Sequence, residues 1–146
     1  MKRITALVTA TLLVLPMFTQ AAWLNGQGKP IPDAPDRRSN GDFGAHLVLT
    51  PSESEFRSTW NDSKSTPHLQ SIQQIKPGQS LSGMFVFAGC QAGPEKVCNV
   101  EVVYSLTGPD GKTMPAGVGP FTLTADVTDK VAKRKVHLTS DFTLSK

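Results

Sequence analysis

The stretch FTLTADVTDKVAKRKVHLTSDFTL, residues 121–144, decides the fold class. In its first part Phe121, Leu123, Ala125 and Val127 alternate with Thr122, Thr124, Asp126 and Thr128. In its second part Val136, Leu138, Phe142 and Leu144 alternate with Lys135, His137, Thr139, Asp141 and Thr143. Successive side chains of a strand point to opposite faces, so each part reads as a strand with one apolar and one polar face. Asp129 to Arg134 joins the two as a charged hairpin connection.

The same pattern extends towards the N-terminus. Val100, Val102, Tyr104 and Leu106 alternate with Asn99, Glu101, Ser105 and Thr107 around Val103, and Gly108-Pro109-Asp110-Gly111 then marks a turn. Leu81 to Ala88 carries Met84, Phe85, Val86 and Phe87 in a row, so both faces are apolar, as in a central strand. Ile72 and Ile75 precede the turn Lys76-Pro77-Gly78, and Ala45, Leu47 and Leu49 alternate in a first strand. Between these, Thr50 reads as the cap of a short helix over 51–60, with Pro51 at its first position and Glu53 completing a capping box. Phe56 and Trp60 lie four apart on one face of that helix, where they are expected to seal one open end of the sandwich. Six or seven short strands with one short helix predict an all-β fold, an antiparallel sandwich of the immunoglobulin-like kind; a small barrel is the alternative.

The 146 residues suit one domain after the first segment is set aside. Lys2 and Arg3 precede an apolar run from Ile4 to Leu15, Pro16 breaks it, and Thr19-Gln20-Ala21 supplies small residues at a cleavage point. Residues 1–21 are therefore expected to be a signal peptide, and the run is too short for the roughly 20 residues a membrane span needs. The mature chain then belongs in the periplasm or outside the cell, where disulfides persist. Lys2 and Arg3 leave with the segment, so thirteen basic residues face twelve acidic ones and the net charge falls from +3 to +1. That balance argues against nucleic acid and anionic membranes as partners. Residues 22–43, rich in Gly and Pro, read as an extended lead-in, and 44–146 as the sandwich domain.

Cys90 and Cys98 end one predicted strand and open the next, which suits a structural disulfide rather than a redox or metal pair. His46, His68 and His137 are too widely spaced for a metal motif, and the phase of His46 and His137 predicts exposed strand histidines. No nucleophile elbow, phosphate-cradling loop or distinguishable carboxylate pair is present, so no catalytic residue, cofactor or metal is assigned. Lys130, Lys133, Arg134 and Lys135 read as a solvated basic tip. Trp23, Phe43 and Trp60 lie outside the clean strands and are candidate ligand contacts, since loop aromatics mark sugar or protein contacts.

Phe85-Val86-Phe87-Ala88-Gly89-Cys90, the strand Val102 to Leu106, Pro109-Asp110-Gly111-Lys112 and the closing Phe121-to-Leu144 hairpin resemble small secreted immunoglobulin-like sandwich proteins of Gram-negative bacteria. That group has no established activity, so the resemblance implies a fold and transfers no functional residue. Between Lys112 and Pro120 the chain departs from the group, where a longer connection with another strand is expected. A shortened sandwich leaves strand edges, and an unpaired edge invites strand addition by a partner. The expected function is thus an exported, non-enzymatic interaction module that contacts another protein. Glycan or envelope-ligand binding through Trp23, Phe43 and Trp60 is the alternative, and metal carriage by the three histidines a weaker third.

Overall fold

The computed structural model describes residues 23–62, 64, 67, 70–113 and 117–145. The signal-peptide reading of 1–21 and the candidate ligand His68 lie outside these residues. In chain order the elements are β1 (Arg37–Asn40), β2 (Phe43–Thr50), α1 (Glu53–Asn61), β3 (Gln74–Ile75), β4 (Ser82–Ala88), β5 (Val100–Thr107), β6 (Phe121–Asp129) and β7 (Arg134–Leu144). They form a β-sandwich of a three-stranded sheet, β1-β2-β4, and a four-stranded sheet, β3-β7-β6-β5. All pairings are antiparallel except β3 with β7, a two-residue parallel contact in which Gln74 faces Thr143 and Ile75 faces Leu144.

The alternation read in the sequence sets which side chains meet. Phe43, Ala45, Leu47 and Leu49 of β2 share one core with Phe121 and Val127 of β6 and with Val136, Leu138 and Phe142 of β7. Register keeps the phase intact, with Val127 opposite Val136 and Ala125 opposite Leu138. At roughly 25 cal/mol per Å² of apolar surface buried, this interior is the main source of stability.

Four sequence expectations change. The central strand of the smaller sheet is β2, flanked by β1 and β4, whereas β4 stands at an edge. Apolar residues on both faces of β4 are covered in part on both, outward Val86 being buried, but core-facing Phe87 stays 41% exposed because the strand stands at an edge. The end of the lead-in is not merely extended, since Arg37–Asn40 pair with β2 as β1. Helix α1 begins two residues later than expected: Ser52 is its cap, and its hydroxyl accepts from the Glu55 N–H. Finally, α1 buries none of its residues, so Phe56 and Trp60 stack on each other at 6.3 Å without entering the core.

One flank of the sandwich is closed by backbone that passes between the sheets. The Pro35 carbonyl accepts from Thr139 N–H of β7, and the next carbonyl, Asp36, accepts from Leu47 N–H of β2. Further along, Ile72 N–H donates to Leu49 of β2, and the Gln73 and Ile75 carbonyls accept from Thr143 and Ser145. Two crossing segments therefore satisfy the edges of β2 and β7 on this side.

Candidate functional site

Among the described residues, the opposite flank, between β4 and β5, is where the sandwich is left open. Pairing with β2 places Phe85 opposite Leu47 and Phe87 opposite Ala45, so both lie on the core-facing side of β4. Pairing with β6 places Val102 opposite Val127, Tyr104 opposite Ala125 and Leu106 opposite Leu123, so these too lie on the core-facing side. Their partners Leu47, Ala45, Val127 and Ala125 are buried, yet Tyr104 is 68% exposed. A core-phase side chain reaches solvent in this way only where nothing closes the interior. The Phe85 and Tyr104 rings, 6.3 Å apart, are the ring contact that bridges the two sheets there.

Among the described residues β4 pairs only with β2, and β5 only with β6, so each keeps an outer edge without a strand partner. Native proteins protect such edges with Lys, Pro or bulges. Neither strand contains Lys, Arg or Pro, and β4 carries no charge. The one charge on β5, Glu101, is held by Lys130 at 3.2 Å. Outward-facing Val103 adds a further exposed apolar side chain, 62% accessible.

The chain crosses from β4 to β5 through the loop closed by the Cys90–Cys98 disulfide, whose Cα atoms are 5.8 Å apart. A buried carboxylate fixes this end of the molecule. Asp129 is fully buried and accepts from Gln91 N–H at 2.9 Å, from Val131 and Ala132 N–H, and from the Arg134 guanidinium at 3.0 Å. Arg134 also donates to the Gly89 carbonyl, pairs with Asp42, and lies over the Phe43 ring. The expected solvated basic tip holds for Lys130, Lys133 and Lys135, which are exposed, and is corrected at Arg134. Arg134 is engaged in the structure, and Lys130 and Lys135 pair with Glu101 and Asp126. The Asp129 carboxylate sits where an Asp accepts from its own turn, a common local pattern that does not announce burial.

The structure separates the three aromatic residues read as ligand contacts. Phe43 is wholly buried in the core and presents no surface to a ligand. Trp60 is 45% exposed on α1. Trp23 is half-buried and packs edge-on against His46, with ring centres 6.0 Å apart.

His46 corrects a further expectation. It points to the outer face of β2, as its phase requires, yet is only 4% exposed because Trp23 and Asp36 cover it. Its Nε2 lies 3.5 Å from Asp36. Burial lowers its pKa, and the Asp36 carboxylate opposes that shift. It lines a cleft of about 1090 Å³ on the stitched flank together with Asp36, Arg37, Gln73 and Asp141. Nearby, Trp23 Nε1 and Arg37 Nε are buried without a hydrogen-bond partner. His137 behaves as expected, exposed on the outer face of the larger sheet. There it hydrogen-bonds Asp126 at 2.8 Å, and Lys135 and His137 together lower the pKa of that carboxyl.

Among the described residues, no group of three or more His, Cys, Asp or Glu side chains is arranged to hold a metal ion. No helix among them is long and apolar enough to cross a membrane. In comparisons with known proteins, no family model, no curated protein and no solved structure matches the chain.

Proposed function

We propose that the chain is an exported, non-enzymatic interaction module whose β4/β5 flank receives another protein by addition of a strand. The observation that carries this reading is the exposure of Tyr104 and Phe87 on the core-facing side of two unpaired edges. Main-chain pairing along such an edge supplies affinity, and pockets for alternate side chains supply selectivity. The resemblance to small secreted immunoglobulin-like proteins, the signal-like first segment and the disulfide support an oxidising, extracytoplasmic setting. Cross-linking of the tagged, exported chain in its native envelope, followed by mass spectrometry, tests the proposal. A dominant protein adduct that disappears in Tyr104→Lys is expected; recovery of bulk envelope proteins alone, unchanged by that substitution, contradicts it.

A second reading has its own observation. The cleft beside His46, with the unpartnered donors of Trp23 and Arg37, suits a small polar envelope ligand or glycan fragment. Tryptophan fluorescence across a panel of glycans and peptidoglycan fragments tests it. A saturable change lost in Arg37→Ala supports it, and a flat response throughout removes it.

A further inference from the structure

We propose that the occupant of the open flank is a second copy of this chain, related by a two-fold axis parallel to the strands. This inference rests on reading the flank as a protein-docking surface and names the protein that fills it.

A single added strand pairs with β4 or with β5 and leaves the other edge bare. A second copy supplies both edges at once. β4 and β5 belong to different sheets and run in opposite directions, because the disulfide-closed loop joins them at one end. A two-fold axis along the strands preserves strand direction and exchanges the sheets. It therefore sets β4 of one copy antiparallel to β5 of the other, twice, and the contact is isologous. Each three-stranded sheet then continues into the partner's four-stranded sheet.

Length and phase fix the register. β4 has seven residues and β5 has eight. Core-facing residues must lie opposite core-facing residues, since a slip of one residue would turn every apolar side chain outward. Centring the strands under that condition places Phe85 opposite Tyr104 of the second copy and Ser82 opposite its Thr107. Ala88 then meets Glu101, and all of β4 is matched within β5. Charge does not oppose the contact: β4 is neutral, Glu101 is held by Lys130 in its own copy, and no two Glu101 side chains meet in this register.

The register makes a specific test available. Met84 and Ser105 lie on the outward phase of their strands, on opposite outer faces of one copy, so no bond can join them within a chain. Across the proposed seam they are directly opposite. Sedimentation and light scattering of the wild-type, disulfide-intact chain should give about twice the protomer mass, and Tyr104→Lys should give a folded monomer. On oxidation, Met84→Cys/Ser105→Cys should form a covalent dimer roughly tenfold faster than either single variant, because only the double variant brings two thiols within bonding distance. A wild-type chain that stays monomeric at every concentration overturns the inference. So does Ser105→Cys alone cross-linking as fast as the double variant, which would pair β5 with β5. If the purified chain is monomeric while envelope cross-linking at the flank captures a different protein, the second copy is excluded and the interaction-module reading stands.

Discussion

The two flanks of this sandwich are built differently. On one, residues 35–36 and 72–75 cross between the sheets and bond β2 and β7 in passing. On the other, among the described residues, the chain crosses only at the end, through the Cys90–Cys98 loop, and leaves the edges of β4 and β5 without a strand partner. The strands themselves are no less apolar on the open side. What differs is the covering backbone, and apolar content alone therefore does not say whether a strand is interior. An edge that is long, nearly uncharged and core-phased is either a hazard or a binding surface, and here it is the surface we propose for binding.

Substitutions that contrast the two regions should separate them, beginning with the anchored end. Asp129→Ala strips a buried acceptor from three N–H groups and leaves Arg134 with only the exposed Asp42 as its carboxylate partner, so a loss of about 3–5 kcal/mol is expected in urea unfolding. A cost under about 1 kcal/mol would show that this end does not hold the fold. Next, Leu47→Ala removes a fully buried core side chain and should cost about 2–5 kcal/mol. Tyr104→Ala, on the open flank, should change monomer stability by less than about 0.5 kcal/mol. Equal effects at the two positions would erase the distinction between the flanks.

Reduction of Cys90–Cys98 reopens a short loop and should cost about 2.5 kcal/mol on the chain-entropy estimate, read as a lower melting temperature in reductant. An unchanged melting temperature would mean that this crossing is held by Asp129 and Arg134 alone. The smallest effect expected is that of pH. Burial lowers the folded pKa of His46 below its unfolded value near 6.5, so between the two values the unfolded chain binds the extra proton. The His46 contribution is complete above pH 6.5 and declines as pH falls through that window. Chemical denaturation at stepped pH should show this decline, and His46→Gln should flatten it. Asp126 acts in a separate, lower window. Its depressed pKa gives stability that is present above about 3.8 and lost on acidification below it.

The strands were legible because alternation is a local property. Phe121 to Leu144 declared both its strands and its hairpin, and Phe85, Tyr104 and the cysteines lie on or beside the expected strands, although the apolar face of β5 that reads as buried leaves Tyr104 68% exposed. Coverage was not legible, because it depends on residues distant in the chain. His46 has an exposed-phase position and is buried only because Trp23 and Asp36 fold over it. Phe43 looks like a loop aromatic beside Gly41 and Gly44, but it opens β2 inside the core beneath Arg134. β4 reads as central since both its faces are apolar, and only the sheet order shows that one of its neighbours is missing. The location of the unpaired edges on β4 and β5 requires the pairing pattern, which no local stretch of sequence carries.

Site-specific photo-cross-linking in the native envelope tests the central claim most directly. A photoreactive side chain at Tyr104 is compared with one at Arg57, an exposed position on α1. A discrete protein adduct is expected at Tyr104, with a second copy of the chain as the captured species, and none at Arg57. No adduct at Tyr104, or the same diffuse adducts at both positions, would contradict it.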